Sequence, residues 1–233
     1  MAEFSPNLAA LPAEQVALWP RLAQIPDGFV LYGGTAVSLR LAHRESVDFD
    51  FFTSLTVDPD ALLASIPFLT DAHVVQEEGQ TLSVEVYPLD NELPVKVSFS
   101  GGIGFRVLSQ PGWVKDNGVV VASLLDLAGT KAKVINQRIE LKDYRDISAL
   151  LDAGLTLPQI VAAAVAIFDG QVDYDHTLSA ITYFEDETAR TFPEPLKKKL
   201  RDAARGARRA PVPMPAYASI AAAWDAARQV RGA

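Results

Sequence analysis

The chain has 233 residues, of which 49% are hydrophobic, and a formal net charge of −8. This length and composition predict one large domain or two small ones and exclude a chain that is disordered throughout. The acidic balance argues against non-specific coating of nucleic acid, which needs clustered Lys and Arg, and the absence of cysteine excludes disulfides, thiol nucleophiles and thiolate metal sites.

The predicted strands all lie in the first 122 residues. In chain order, the patterns predict a helix over 12–24 that Pro20 interrupts, a buried strand over 28–32, a helix over 35–43, a strand over 46–53, a helix over 58–66, and strands over 72–78, 81–89 and 93–100. Gly79 and Gln80 are expected to form a hairpin turn. The Gly-rich stretch over 101–123 is irregular with some β content, and it could lie over a ligand.

Beyond Ser123, a suitable helix N-cap, the pattern is helical. It predicts helices over 124–139, 143–152, 157–168, 175–189, 194–209 and 216–230. Strands followed by helices indicate the α+β class. We therefore expect an α/β core over residues 1–122 and a helical C-terminal region over 123–233.

The chain shows no apolar run of membrane-spanning length. Its first residues also do not have a charged segment followed by an apolar one, as a secretory signal would. We therefore expect a cytoplasmic protein with no membrane partner.

Asp48 and Asp50 alternate with apolar residues in the predicted strand over 46–53. The two-residue period puts Val47, Phe49 and Phe51 on one face, toward the core, and both carboxylates on the other. Their Cβ atoms would be about 7 Å apart, close enough to share one or two divalent ions. The alternative is that both aspartates only line the solvent face of an edge strand.

Gly33 and Gly34 stand between a predicted strand and a predicted helix. Two residues without Cβ let the backbone approach a phosphate, and the helix start offers free N–H groups. Thr35 adds a hydroxyl donor. A phosphate-binding turn followed by a carboxylate pair is typical of proteins that hold a nucleoside triphosphate with its magnesium.

Several segments together resemble the motifs of the AbiEii/AbiGii-type nucleotidyltransferases, which belong to the DNA polymerase β-like nucleotidyltransferase superfamily. The segments are Gly33-Gly34-Thr35-Ala36, then HRESVDFDFF over 43–52, Lys131 and Arg138 of LLDLAGTKAKVINQR, and Lys142-Asp143-Tyr144-Arg145-Asp146. Many members of this family are toxins of bacterial toxin–antitoxin systems.

The resemblance implies a nucleotidyltransferase-type mixed β-sheet with flanking helices, in which the strand of Asp48 and Asp50 is central. The helical C-terminal region would complete the active-site cleft. It also implies transfer of a nucleoside monophosphate from an NTP to an acceptor hydroxyl of RNA, such as tRNA, or of a protein. Mg²⁺ would be the cofactor, with Mn²⁺ as an alternative, and a cognate antitoxin would be a further partner.

The resemblance also implies roles for individual residues. Asp48 and Asp50 would hold the metal. Catalysis would further use Lys131, which neutralises triphosphate charge, with Asp143 or Asp146 orienting that lysine or the acceptor. The nucleotide-binding residues would be Gly33, Gly34, Thr35, Arg44, Ser46, Arg138 and Lys142. Arg44 could instead pair with Asp48, and residues 138, 142, 143 and 146 could instead form a surface ion-pair network of little energetic weight.

One departure from the superfamily concerns the third carboxylate that many members carry on a neighbouring strand. In the predicted strand over 93–100, alternation puts Lys96, Ser98 and Ser100 on one face, and Ser98 stands where an Asp is expected. A hydroxyl is a much weaker general base than a carboxylate, so Glu85, Asp143 or Asp146 would have to substitute. The alternative function is therefore a catalytically degenerate module that binds nucleotide or a protein partner. A small-molecule nucleotidyltransferase of the aminoglycoside type is a third, weaker interpretation.

Overall fold

The computed structural model describes residues 3–88 and 93–231. Within this part, the strands are β1 Val30–Tyr32, β2 Asp48–Phe52, β3 His73–Glu78, β4 Thr81–Val86, β5 Val95–Ser100, β6 Gly112–Trp113 and β7 Val120–Val121. The helices are α1 Ala13–Leu18, α2 Gly33–Leu41, α3 Pro59–Ser65, α4 Leu124–Ile135, α5 Leu141–Asp152, α6 Leu157–Ile167, α7 Tyr174–Thr182, α8 Glu187–Arg190, α9 Glu194–Ala204 and α10 Ile220–Arg231. The predicted α+β class is confirmed. The end of the predicted strand over 81–89 lies outside the described residues.

The chain forms two compact units. The first contains the residues up to Phe105, Gln110–Ser123 and the chain from Tyr217 onward, and the second contains Arg106–Ser109 and Leu124–Ala216. The break after Ser123 lies one residue from the expected boundary between 122 and 123. The last helix, α10, belongs to the first unit, where the backbone N–H of Ala221 donates to Ser54 Oγ at 2.9 Å.

The first unit contains a seven-stranded mixed sheet in the order β3-β4-β5-β2-β1-β7-β6. Strand β2 is the fourth of the seven, antiparallel to β1 and parallel to β5. The aspartate strand is therefore central, as the family resemblance implied. The alternative of an edge strand is wrong.

The two faces of β2 differ in burial as its alternation predicted. Phe49 and Phe51 are 0% and 2% exposed, and the ring of Phe51 stacks on that of Phe99 at 5.7 Å. Asp48 and Asp50 lie on the opposite face and are half-buried. Val47, however, is 60% exposed, so its predicted place in the core is wrong, because the strand begins only at Asp48.

Pro20 changes the first predicted helix in the expected way. Helix α1 ends at Leu18, and a 3₁₀ helix continues over Trp19–Gln24. Because proline has no backbone N–H, the α-helical ladder cannot run through it without losing a hydrogen bond. The buried Trp19 of this segment lies beside Phe49, with 6.2 Å between the ring centroids, and supports the apolar face of β2.

The second unit is helical, and three of its predicted helices are wrong in extent, of which the helix predicted over 124–139 ends at Ile135. The helix predicted over 175–189 is two helices, because Tyr183 is extended and the Asp186 carboxylate accepts from the N–H of Thr188 and caps α8. The helix predicted over 194–209 ends at Ala204, where Arg205 turns extended and Gly206 adopts a φ of +67°. The basic residues after this point therefore lie outside a helix.

Among the described residues, no single helix has the length and apolar composition needed to cross a membrane. One pair, α5 and α6, passes that test only when the two helices are joined, and the pair is bent by 114°.

Candidate active site

The turn that joins β1 to α2 lies against the carboxylate of Asp50. Gly33, the first residue of α2, has a φ of +75°, and a Cβ at this position would overlap Asp50 Oδ2. Both the backbone angle and the close approach therefore require glycine here. Because Tyr32 is the cross-strand partner of Asp50, the register of β1 and β2 places this carboxylate at the start of the helix.

The second glycine gives room to Arg44 and Ser46. A Cβ on Gly34 would lie 2.5 Å from Nη2 of Arg44 and 3.0 Å from Oγ of Ser46. Arg44 also donates from Nη1 to the carbonyl of Glu45 at 2.8 Å, and Ser46 is 9% exposed. The structure thus brings Gly33, Gly34, Arg44 and Ser46 together beside the aspartate strand.

Thr35 is fully buried, and its hydroxyl donates to the backbone carbonyl of Asp48. This bond ties the first turn of α2 to the start of β2. The hydroxyl proton is therefore used inside the protein, and the expected donation from Thr35 to a phosphate stays a prediction. The backbone N–H groups of this turn are the donors that a ligand phosphate could use.

The donor set at Asp48 and Asp50 fits a magnesium ion that arrives with its nucleotide. Mg²⁺ is usually bound by one or two carboxylates, with water and substrate phosphates as its other ligands. Two half-buried carboxylates at i and i+2 on one strand face meet this requirement. In the described part of the chain, no group of three or more His, Asp or Glu is arranged as a metal site.

The strand beside β2 offers no third carboxylate. In the parallel pairing with β5, Asp48 is opposite Lys96 and Asp50 is opposite Ser98. The Oγ of Ser98 is 2.9 Å from that of Ser83 on β4. The position where the resemblance leads us to expect an acid therefore carries the hydroxyl of Ser98, with the ammonium group of Lys96 beside it.

Glu85, a suggested substitute for this acid, lies on the same face but farther away. It is opposite Lys96 in the pairing of β4 with β5, so it stands two strands from Asp48, roughly 9–10 Å by sheet spacing. Its carboxylate is 3.6 Å from Nδ1 of His73. It is thus too distant to bind the same ion as Asp48 directly.

The second unit carries a buried ionic cluster of Lys131, Asp143 and Asp146. The Nζ of Lys131 on α4 is 2.8 Å from Oδ1 of Asp143 and 2.7 Å from Oδ2 of Asp146, both on α5. The side chain of Lys131 is 8% exposed and those of both aspartates are 0% exposed. One lysine is therefore shared by two buried carboxylates, and the interpretation of Asp143 and Asp146 as part of a surface network is wrong.

Arg138 supplies the second positive charge of this cluster. Its Nε lies 2.9 Å from Oδ2 of Asp143 and 3.4 Å from Oε1 of Glu140. The Nζ of Lys142 lies 2.9 Å from Oε2 of Glu140. About half of each basic side chain is exposed. Both can be reached by a ligand, and their expected nucleotide contacts stay predictions.

The structure adds Lys96 and Ser83 to the face that carries the aspartates. Alternation in the sequence put Lys96 and Ser98 on one face of β5, but it gave no information about which strand would be the neighbour. Only the pairing of β5 with β2 and β4 places these side chains beside the carboxylates.

Comparisons with known proteins agree with this geometry. A sequence model of the family described as "Nucleotidyl transferase AbiEii toxin, Type IV TA system" matches residues 18–230. An uncharacterised protein of Aquifex aeolicus (strain VF5) is 30% identical over 165 residues, which cover 70% of this chain and 76% of the relative.

Two solved structures share the fold. MenT4, a nucleotidyltransferase toxin of Mycobacterium tuberculosis H37Rv, is 14% identical and has a TM-score of 0.59, with 82% of this chain and 80% of that chain covered. An antigenic nucleotidyltransferase-like protein from Paracoccidioides brasiliensis is 15% identical and has a TM-score of 0.52, with 86% and 96% covered.

Proposed function

Because the chain belongs to the AbiEii family of nucleotidyltransferase toxins, we propose that it transfers a nucleoside monophosphate from an NTP to a hydroxyl of RNA in a Mg²⁺-dependent reaction. Family membership implies nucleotidyl transfer, a nucleotide substrate and an antitoxin counterpart. The choice of magnesium, the RNA acceptor and the roles of single residues are our proposal.

The observation that supports it most is the contact between the glycine turn and the aspartate strand. Gly33 presents its backbone to Asp50 with no side chain between them. A triphosphate at the start of α2 would therefore lie next to the carboxylate pair. A helix N-terminus favours anions, and a carboxylate pair favours cations, so the two halves of a metal–triphosphate complex have adjacent binding partners.

Each group of residues has a task in this proposal. The backbone N–H groups at Gly33 and Gly34, with Arg44 and Ser46, bind the phosphates. Asp48 and Asp50 would hold Mg²⁺, which would offset phosphate charge and polarise the acceptor oxygen. The acceptor oxygen forms a bond to the α-phosphorus, the bond to the β-phosphate oxygen breaks, pyrophosphate leaves, and the hydroxyl proton passes to water.

In the same proposal the buried Lys131 is held by Asp143 and Asp146, which act as positioning residues for it within the second unit. Their carboxylates contact its ammonium at 2.8 and 2.7 Å, which restrains a side chain that is otherwise flexible. Arg138 and Lys142, both about half exposed, add positive charge for nucleotide binding.

The test uses the purified chain with each of the four NTPs labelled at the α-phosphate, Mg²⁺ and total RNA. We expect label on RNA and release of pyrophosphate, both lost in Asp48→Asn and retained in Asp71→Asn, which changes an exposed aspartate of the same unit. Label that persists in both Asp48→Asn and Asp50→Asn would contradict the metal assignment, and label on added protein instead of RNA would contradict the acceptor.

A second candidate function rests on the absence of a carboxylate on β5 at Lys96 and Ser98. A chain that cannot deprotonate its acceptor would bind nucleotide without turnover. Titration calorimetry with an NTP and Mg²⁺ separates the two functions, because binding heat without pyrophosphate release indicates the binding module.

A further inference from the structure

One row of side chains crosses the aspartate face of the sheet from β2 to β3. Asp48 on β2 pairs with Lys96 on β5, Lys96 with Glu85 on β4, and Glu85 with His73 on β3. Directly paired residues point to the same side of a sheet, about 4.8 Å apart. The ammonium group of Lys96 therefore belongs to the surface that carries the metal carboxylates.

Lys96 is exposed, and over residues 3–88 and 93–231 it makes no ion pair with a carboxylate, even though it stands between Asp48 and Glu85. Glu85 instead has His73 as its partner, at 3.6 Å. Next to Lys96 on the same strand face, Ser98 contributes a hydroxyl that contacts Ser83. The strands beyond β2 thus present to a ligand the ammonium group of Lys96, the hydroxyls of Ser98 and Ser83, and the Glu85 carboxylate beside His73.

The two sides of β2 have different surroundings. The glycine turn follows β1 and approaches Asp50 from that side, whereas Lys96 is on β5, on the other side. In phosphoryl transfer, the attacking and leaving oxygens lie roughly in line. If the pyrophosphate leaves on the side of the glycine turn, the acceptor approaches from the side of β5.

We propose that Lys96 contacts a phosphate of the acceptor and selects an anionic polynucleotide over a cationic small molecule. This inference rests on the proposed function and adds the residue that decides the class of acceptor. A cationic acceptor such as an aminoglycoside would meet the like charge of Lys96 directly opposite Asp48, and the carboxylate on the next strand, Glu85, lies beside His73. A Lys–phosphate contact is a charge-assisted hydrogen bond, which is stronger than one between neutral groups.

The experiment compares Lys96→Glu, Lys96→Gln and Lys96→Arg with Lys115→Glu. Lys115 is the matched control because it lies in the same unit, its side chain is 74% exposed, and its nearest carboxylate, Glu3, is 4.0 Å away. We expect Lys96→Glu to raise the KM for RNA about tenfold or more and to leave the KM for the NTP within about twofold. Lys96→Arg should retain RNA labelling, and Lys115→Glu should behave as the wild type.

Binding of a short fluorescein-labelled single-stranded RNA, followed by anisotropy, tests the same contact without turnover. Loss of one phosphate contact lowers the slope of log K against log salt concentration by about 0.7 for a single strand. We expect this change in Lys96→Gln and not in Lys115→Glu. Thermal unfolding of each variant tests whether misfolding is the cause. We expect unchanged unfolding temperatures, because position 96 is exposed.

Three results would overturn the inference: an unchanged KM and salt slope for RNA in Lys96→Glu, a raised KM for the NTP alone, or labelling of kanamycin in preference to RNA by the wild type. Failure of the proposed function looks different, since then the wild type labels no acceptor and releases no pyrophosphate. In that case the salt slope still decides whether Lys96 binds polynucleotide phosphate.

Discussion

The chain contains two pairs of aspartates whose settings are opposite. Asp48 and Asp50 are half-buried on a strand of the first unit, whereas Asp143 and Asp146 are fully buried on a helix of the second. The buried pair has a cation from the chain itself, the ammonium of Lys131. The half-buried pair is partly exposed to solvent.

Burial explains this difference. A charge removed from water is tolerated only when it is paired and hydrogen-bonded, since the penalty for an unpaired ion is several kcal/mol. The buried pair must therefore be neutralised within the protein before any ligand binds. A partly hydrated pair needs less compensation within the protein, because water still solvates its charges. The same residue type thus suits ion binding in one unit and internal positioning in the other.

The largest expected effect tests the half-buried pair. Replacing Asp48 or Asp50 by Asn keeps the size of the side chain and removes its charge. We expect the rate of label transfer to fall by about a hundredfold to a thousandfold, the range seen when one electrostatic contact to the transition state is lost. The free energy of unfolding should change by less than about 1 kcal/mol, because removing one of two like charges also removes their mutual repulsion.

Rate and stability are measured on the same preparations, by label transfer and by urea denaturation. A large loss of stability in these two variants would show that the pair is structural, and the contrast between the two pairs would disappear.

The next effect concerns the buried pair. Lys131→Met leaves two buried carboxylates without their shared cation, and we expect it to lower the free energy of unfolding by about 3–5 kcal/mol. Urea denaturation measures this loss. Adding Asp143→Asn and Asp146→Asn to Lys131→Met should recover part of it, because the uncompensated charges are then gone.

Lys142→Met is the matched control for this prediction. Lys142 belongs to the same unit, but its side chain is 49% exposed and pairs with Glu140 at the surface. Loss of this ion pair should lower the free energy of unfolding by less than about 1 kcal/mol. Equal losses in Lys131→Met and Lys142→Met would contradict the special position of the buried cluster.

Gly33→Ala tests how closely the glycine turn depends on Asp50. The positive φ and the overlap of the new Cβ with Asp50 Oδ2 should together lower the free energy of unfolding by about 3 kcal/mol. The rate of label transfer should also fall sharply. Gly79→Ala is the control, since Gly79 has a φ of +57° with nothing within 4 Å of its Cβ, and it should cost only about 1 kcal/mol with normal transfer. Identical effects in both variants would show that backbone strain alone matters at Gly33.

The smallest effect is a pH dependence next to the buried pair. Burial, the charge of Asp186 and then the charge of Asp143 raise the pKa of Tyr144 to about 12 from its ordinary value of 10.0. A raised pKa means that the folded state holds the phenol proton more tightly. The contribution of this proton to the free energy of unfolding is therefore complete below pH 10 and is lost as the pH rises toward 12.

Comparison of the wild type with Tyr144→Phe isolates this contribution. We expect the free energy of unfolding of the wild type to fall relative to the variant from pH 10 upward, by about 2 kcal/mol in total. The variant also loses the hydrogen bond from the Tyr144 hydroxyl to the carbonyl of Ala180, 3.3 Å long, which lowers its stability at every pH. A constant difference between the two proteins from pH 9 to 12 would contradict the raised pKa.

Local features of the fold could be predicted because they depend on neighbours in the sequence. The two-residue period put Asp48 and Asp50 on one strand face, and Pro20 divided the first helix. The same reasoning was wrong for Val47, whose apolar character matches the alternation although the strand begins one residue later. It also missed the break between α7 and α8, where the Asp186 carboxylate accepts from the backbone N–H of Thr188 and begins a new helix.

The amino-acid sequence by itself determined the class of the fold, the carboxylate pair and the glycine turn, since alternation and backbone freedom are local properties. Only the tertiary structure decided that Lys96 stands beside Asp48 and that Lys131 lies between Asp143 and Asp146. Strand pairing and helix packing join residues far apart in the chain, and burial then determines which charges must be compensated within the protein.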